Sequence, residues 1–347
     1  MARNVSLSGS NEDQPVIHSK RARISDTRGF PDGKGLANYR FVGDSNPVVS
    51  LLDHRGSRRH RSQSPEDHLG AWLDEERPPS LQDEAGNVTD NLPPKPELDE
   101  LINIYFRRIH PLLPLLDEDE VRSQVSTGSI SIPLLQAICL VSSKDQGAKA
   151  FLRLESEAAL LQREIFGEQL YEDILKRMPK RKEKKRILTI QILILLSLHE
   201  WGPDRSEECT LHLVHAVHHS QNIALHHLSK QEKETSLSLK YLFWCLWSLD
   251  RWNAAINGRP TMMNDRDMRQ KVDDIMPLCK PPFRVWLRLA GKLNEVVEFY
   301  RPIVEGSNEA DLEILDFEEI VESSGAWDTP PDVLGKNLDV SIFRSLT

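Results

Sequence analysis

Six of the twelve histidines of this chain lie between residues 212 and 227, and two of them have a spacing that can bind a metal. His215 and His219 are four residues apart, so on a helix they would project from one face, as pairs of zinc-binding histidines do. No glutamate completes an HExxH pattern, and apolar residues surround the group, namely Leu211, Leu213, Val214, Ala216 and Val217. We therefore predict packed or surface histidines and no metal; a zinc site is the alternative.

A second polar group, Asp250, Arg251 and Arg259, follows a run of aromatic and aliphatic residues at 241–249. A carboxylate and a guanidinium in such surroundings need partners, because an unpaired buried charge is costly. The structural interpretation is a buried ion pair, with Arg259 reaching back to a carboxylate or to helix-end carbonyls after Gly258 ends the helix. The functional alternative is a site for an anionic effector. The structural interpretation predicts a loss of about 2–4 kcal/mol for Arg251→Ala or Arg259→Ala.

Two basic runs are candidates for nuclear import or for phosphate contacts. The first, at 176–186, has eight basic residues in eleven, and the second lies near the start of the chain. A solvated loop between helices is the plainer interpretation of the first run, and neither run contains the aromatic residues on which single-stranded nucleic acids stack. The import candidates are Lys20, Arg21, Arg23, Lys180, Arg181, Lys182, Lys184, Lys185 and Arg186.

No motif for catalysis or for a cofactor is present: the sequence has no GxSxG elbow, no P-loop and no GxGxxG after a strand. The carboxylate pairs Asp273–Asp274 and Glu318–Glu319 are adjacent in sequence, so on a helix they point about 100° apart and indicate solvated surface. Four cysteines lie far apart with no CxxC pair. We therefore predict a protein that is not an enzyme and has no cofactor.

The net charge of −9 is concentrated at the carboxyl end. Residues 97–301 hold 29 basic and 28 acidic side chains, whereas residues 302–347 hold 2 and 11. This balance excludes a simple basic nucleic-acid binder. The most apolar stretch, at 187–198, is shorter than the roughly 20 residues that span a bilayer, so we expect no membrane insertion.

Composition and periodicity divide the chain into three parts. Residues 1–96 contain nine of the 21 prolines and indicate a disordered arm, with a short segment at 39–52 that we expect to dock on the folded part. Residues 97–325 have helical periodicity, and 326–347 form an irregular tail. The predicted class is all-α, with helices at about 98–109, 131–141, 151–178, 186–200, 206–225, 235–257 and 282–300.

Several segments, taken in order, carry a family resemblance. They lie at 105–116, 190–196, 216–226 and 243–251, and the last ends in Asp250 and Arg251 before a turn of Gly258, Arg259 and Pro260. Together they resemble the middle homology region of fungal zinc-cluster transcription factors, of the acetamidase-regulator type. Segments at 41–45 and 317–325 resemble stretches that flank this region. The similarity covers about 98–325 and implies a helical regulatory domain in a nuclear transcriptional regulator.

Members of that family usually begin with a six-cysteine zinc cluster that binds DNA, whereas the first cysteine here is Cys139. The resemblance therefore indicates a regulatory domain without its own DNA-binding cluster, or a piece of a longer protein. It implies pathway-specific control, of a specialised-metabolite gene cluster or of nutrient use. The implied partners are a paralogous zinc-cluster factor, a coactivator and an importin, with homo- or heterodimers and only weak or indirect DNA contact. An all-α enzyme or small-molecule binder unrelated to transcription is the alternative.

The acidic stretch at 309–322 alternates acidic and apolar residues and allows two interpretations. Its apolar positions suit one face of a helix that packs on the body, which is the interpretation we favour. The same pattern fits an acidic segment that folds in a coactivator groove.

Overall fold

The computed structural model describes residues 91–155, 159–178, 186–199, 206–228, 237–299, 316–330 and 333. Within them every regular element is a helix, which confirms the all-α class. The arm before residue 91, its docking segment at 39–52 and the tail at 334–347 lie outside the described residues. No described helix is both long and apolar enough to cross a membrane.

The described residues form a series of α-helices and shorter helical turns. The α-helices are α1 (Lys95–Ile104), α2 (Glu118–Ser126), α3 (Ile132–Ser142), α4 (Arg163–Arg177), α5 (Arg186–Ser197), α6 (Ser206–Asn222), α7 (Leu237–Asn257), α8 (Val272–Ile275), α9 (Pro281–Phe299) and α10 (Phe317–Ser323). A π-helical turn, Tyr105–Ile109, extends α1, and 3₁₀ helices lie at Gln146–Phe151, Leu225–His227, Asp265–Asp267 and Met276–Leu278. Helices α1, α3, α5, α6, α7 and α9 confirm six of the predicted helices.

Three apolar helices form the centre of the fold. In α3 every residue from Leu134 to Ser142 is buried, and α5 buries Ile190 and the run from Ile192 to Leu196. A helix that is apolar all round has to be covered by other elements. Accordingly, α3 packs against α1, α4 and α5, and α7 packs against α6 and α9.

The first helix ends in a wider turn that keeps its aromatic residues in the core. Pro96 lies in its first turn, where a missing N–H costs nothing, and the N–H of His110 donates to the carbonyl of Tyr105 at 3.0 Å. This five-residue spacing is the hydrogen bond of a π-turn. Tyr105 and Phe106 are buried as a result. Pro111 follows directly and ends the helical run.

The prediction of one helix over about 151–178 was wrong in its first half. Residues 152–155 are not helical: the N–H of Glu155 donates to the carbonyl of Leu92 at 2.9 Å, and the N–H of Leu161 donates to Leu152 at 2.7 Å. These contacts to a distant segment and across a loop replace the helical ladder. The helix α4 starts only at Arg163.

The helix α2 is a further difference, because the sequence analysis did not predict it. Its sequence has no apolar periodicity, and Val121 is its only buried residue. Its start has a signal that could have found it, since Asp117 caps the helix by accepting from the N–H of Glu120 at 3.0 Å. An acidic cap followed three residues later by glutamate is a known helix start.

The acidic stretch is described from Asp316 onwards, and there it packs on the body. Helix α10 begins with a capping box between Asp316 and Glu319, and Ile320 and Val321 are buried. They form a small cluster with Leu112, Val285 and Ala326, separate from the main core. This geometry supports the favoured interpretation for residues 316–326, whereas Phe317 of the same helix remains exposed.

The apolar face of α4 provides a test of the packing. Ile174 is buried, and its neighbour Leu175 is 42% exposed. We expect Ile174→Ala to lower the free energy of unfolding by about 2–5 kcal/mol through a cavity in the core. Leu175→Ala, the matched control, should change it by no more than about 0.5 kcal/mol. Chemical denaturation followed by circular dichroism measures both, and equal losses would contradict the described face.

Candidate functional site

The candidate site lies at the carboxyl half of α7, which is buried on nearly all sides. Phe243, Trp244 and Trp247 are buried, and the rings of Trp244 and Trp247 meet edge to face with centroids 5.2 Å apart. Little water can reach this part of the helix, so any charge on it must find partners inside the protein. The two residues that follow this run are charged.

Asp250 and Arg251 form an ion pair that is closed to solvent. Arg251 is 1% exposed, and its Nη1 donates to Asp250 Oδ2 at 2.8 Å. Its Nη2 donates to the carbonyl of Met263 at 2.7 Å and to the carboxylate of Asp265. The guanidinium also lies over the ring of Trp247, 4.5 Å from its centroid. Such a set of partners is what a buried guanidinium requires.

The carboxylate of Asp250 holds the turn after α7 against the helix. It accepts hydrogen bonds from the N–H groups of Met262, at 3.0 Å, and Met263, at 2.9 Å. Burial raises the pKa of Asp250, and these two N–H groups together with Arg251 oppose that rise. Burial likewise lowers the pKa of Arg251, while the carboxylates of Asp265 and Asp250 oppose the change. Each charge therefore depends on the other for its place in the interior.

The predicted contact of Arg259 is made by its backbone. Gly258 has φ +60°, a conformation that favours glycine, and the N–H of Arg259 donates to the carbonyl of Ala254 at 2.9 Å. This closes the end of α7, whereas the side chain of Arg259 and Pro260 are exposed. The predicted stability loss for Arg259→Ala therefore has no structural basis. The alternative, a site for an anionic effector at this group, stays a prediction; both Nη atoms of Arg251 are already bonded to Asp250, Met263 and Asp265.

The contact between α7 and α9 was not foreseen from the sequence. Trp286 of α9 is buried, and its Nε1 donates to Ser248 Oγ at 2.7 Å. Its ring stacks on Trp252 with centroids 5.1 Å apart. The signal was present in the amphipathic pattern of α9, but that pattern does not tell which helix its apolar face meets.

A pocket of about 200 Å³ lies beside the amino-terminal half of α7. Its apolar lining consists of the buried residues Leu228, Trp244 and Ile275 and of the exposed Leu278. The polar residues around it come from α7, from the segment that leads into α8 and from α8 itself, and they are Lys240, Arg269, Gln270 and Asp274. Sequence reasoning did not find this pocket, because its residues come from separate parts of the chain.

The comparison with protein families agrees with this architecture. The model of the Fungal specific transcription factor domain matches residues 102–279. The chain belongs to this family. A search of the curated proteins and a search of the solved structures gave no significant match.

The matched range of the fungal transcription factor domain runs from α1 to the residue after the last 3₁₀ helix. It includes the Asp250–Arg251 pair, the turn at Gly258 and all residues around the pocket. The resemblance seen in the sequence is thus confirmed, and the segments at 41–45 and 317–325 lie outside the matched range.

The six histidines at 212–227 are spread over α6 and the turn after it. His212 lies 2.8 Å from the hydroxyl of Tyr171, and His218 lies 3.0 Å from the amide of Asn222. Burial lowers the pKa of His212 to about 4, so it is neutral at pH 7. Among the described residues no group of three or more histidine, cysteine, aspartate or glutamate side chains could hold a metal ion.

The predicted apolar surroundings of these histidines were partly wrong. Leu213, Ala216 and Val217 are buried, but Leu211 and Val214 are exposed. They lie on the outer face of α6, which no neighbouring described helix covers enough to bury them. His215 is exposed on the same helix.

Of the candidate import residues, only Arg186 is described. It is the first residue of α5 and is half-buried. Lys20, Arg21, Arg23 and the basic residues at 180–185 lie outside the described residues.

The Asp250–Arg251 pair leads to a stability prediction that distinguishes the two arginines. Arg251→Ala removes one partner of a buried pair and leaves Asp250 uncompensated, so we expect a loss of about 3–5 kcal/mol. Arg259→Ala removes an exposed side chain and keeps the backbone contact to Ala254, so we expect a change within about 0.5 kcal/mol. Urea titrations of both variants test this. Similar losses for the two arginines would show that the Arg259 side chain has a structural role after all.

Proposed function

We propose that this chain regulates transcription through its helical domain and does not itself recognise a DNA sequence. The observation that supports the regulatory role most directly is the family match over residues 102–279, which spans the core of the described fold. The position of the cysteines adds support. All four are free and buried in the helical body, and burial raises the pKa of the Cys139 and Cys245 thiols, whereas zinc ligands are thiolates.

Regulation without a DNA-binding cluster requires a partner that supplies one. We propose a paralogous zinc-cluster factor for this role, in a homo- or heteromeric assembly, with a coactivator as a further partner. Control of one pathway, a specialised-metabolite gene cluster or nutrient use, is the corresponding biological setting. The balanced charge of residues 97–301 supports indirect rather than direct DNA contact. We propose that the chain has no enzymatic activity.

A reporter assay tests the regulatory role. The full chain, fused to a heterologous DNA-binding domain, should raise or lower expression of a reporter relative to the DNA-binding domain alone. Ile174→Asp places a charge in the core and should abolish the effect, while Leu175→Asp, on the exposed side of the same helix, should retain it. No effect of the intact fusion in either direction would contradict the proposal, provided that immunoblots show equal protein levels.

We further propose a nuclear location that depends on the basic runs. Their charge suits the acidic surface of an importin. A fluorescent fusion of the full chain should be nuclear, and it should be excluded from the nucleus when the basic residues of both runs are replaced by glutamine. These residues are Lys20, Arg21, Arg23, Lys180, Arg181, Lys182, Lys184 and Lys185. Arg186 is left unchanged because it begins α5 and is half-buried.

The matched control for the import experiment neutralises exposed lysines outside both runs, namely Lys149, Lys271 and Lys280. This variant should remain nuclear. Quantitative microscopy of the three fusion proteins decides the matter, and an unchanged nuclear fraction after loss of both runs would overturn the import assignment.

A further inference from the structure

The outer face of α6 is exposed although part of it is apolar. Leu211 is 48% exposed and Val214 is 37% exposed. Glu207, His218 and Gln221 are exposed on the same helix. Single apolar residues are common on protein surfaces, so the arrangement of these two decides what the face can do.

The exposed residues of α6 have the spacing of a helix that pairs with another helix. Successive members are four, three, four and three residues apart, in the order Glu207, Leu211, Val214, His218 and Gln221. This is the spacing of the a and d positions of a heptad, which lie in one narrow stripe. We call these five residues the α6 stripe. The buried residues of the helix lie on the opposite side, and they are Cys209, Leu213, Ala216, Val217 and Ser220.

The neighbouring helix α5 adds a positive charge at one end of the α6 stripe. The thiol of Cys209 donates to the carbonyl of His199 at 2.9 Å, so the start of α6 lies beside the end of α5. The two packed helices therefore run antiparallel, and Arg186 at the start of α5 lies beside the end of α6. There burial lowers the pKa of His219, and the charge of Arg186 contributes to the same shift.

The two ends of the α6 stripe consequently differ in charge. Glu207 and Glu208 are exposed at its start, whereas Arg186 and His218 lie at its end. A histidine donates at least one N–H, so His218 can bind a carboxylate in either protonation state. A stripe that is acidic at one end and basic at the other is complementary to a second copy of itself that runs in the opposite direction.

The order of the residues in the α6 stripe fits the same arrangement. The midpoint between Leu211 and Val214 is also the midpoint between Glu207 and His218. A twofold axis through this point places Leu211 of one copy opposite Val214 of the second copy, and Glu207 opposite His218. Each contact then occurs twice, as an isologous interface requires. In a parallel pair Glu207 would face Glu207, which is repulsive.

We propose that the α6 stripe is the interface of a homodimer, in which the α6 helices of two copies pack antiparallel with Leu211 and Val214 at the centre. The interface follows from α6 and its neighbour, whereas a role of the dimer in regulation rests on the proposed function. Each copy contributes only two apolar residues, and small interfaces form weak complexes. The dimer is therefore reversible, and its fraction rises with protein concentration.

Sedimentation velocity of the purified full chain tests the self-association. The chain should change from monomer to dimer over about a hundredfold range of concentration, as mass action requires for a reversible pair. All samples contain EDTA, because a stray metal ion can bridge the histidines of two copies. A chain that remains monomeric throughout, or that forms dimers only without EDTA, would overturn the interface.

A substitution at the centre of the α6 stripe tests its position. Leu211→Asp places two carboxylates near the twofold axis, so it should weaken dimerisation by at least about tenfold. The matched control is Ile165→Asp, because Ile165 on α4 is 46% exposed and lies outside the stripe. It should form dimers like the unmodified chain, and circular dichroism shows that both variants are folded. Equal dimerisation of the two variants would place the interface elsewhere.

Two charge changes test the antiparallel register. Glu207→Lys places a positive charge opposite His218, and His218→Glu places a second carboxylate opposite Glu207. Each variant alone should dimerise at least about tenfold more weakly than the unmodified chain. An equal mixture of the two should recover dimers, because one contact then joins the introduced lysine to the introduced glutamate and the other joins the unmodified Glu207 to the unmodified His218. No recovery in the mixture would contradict the register.

The reporter fusion separates the interface from the proposed function. Dimers of the unmodified chain without any reporter effect would contradict the regulatory role and leave the interface. A reporter effect from a chain that is monomeric at all concentrations would contradict the interface and leave the regulatory role. If both are present, Leu211→Asp should reduce the reporter effect and Ile165→Asp should not. An equal effect of the two variants would contradict a role of the dimer in regulation.

Discussion

The buried ion pair of Asp250 and Arg251 is the constraint that organises the second half of this fold. A helix as apolar as α7 cannot leave two charges in its covered face unless each is surrounded by hydrogen-bonding groups. The chain provides them by reversing direction at Gly258 and returning Met262, Met263 and Asp265 to the helix. The position of everything that follows, as far as α8, is set by this return.

The same pair also explains why α7 is covered so completely. One side of the helix contacts α6, and another contacts α9, where Trp286 reaches Ser248. The turn at 261–265 covers the charged end between them. Both Nη atoms of Arg251 and both oxygens of Asp250 have partners, and an alternative packing that broke these bonds would leave buried charges unpaired. Specificity of packing, more than added stability, is what the pair contributes.

Much of the fold could be predicted from the sequence, because its central helices have strong apolar patterns. The same reasoning failed at 152–155 and 159–162, and Leu152 and Leu154 are buried in a non-helical segment that bonds to Leu92. Apolar residues spaced three and four positions apart predicted a helix here. Hydrogen bonds to distant residues form instead. At the site, the aromatic run before Asp250 was enough to predict a buried pair. Its partners were not predictable, since they depend on how the chain reverses after Gly258.

The return segment links the ion pair to the pocket. Its regular elements are a single turn each, and helices this short have little stability of their own. Their docking on α7 therefore depends on contacts, of which the bond between Asp265 and Arg251 is one and the apolar lining of the pocket another. Asp265 is 47% exposed, so solvent competes for the first contact. The buried Gln270 adds a bond from its Nε2 to the carbonyl of Leu225 at 2.8 Å, so the segment is also held by a contact that solvent does not reach.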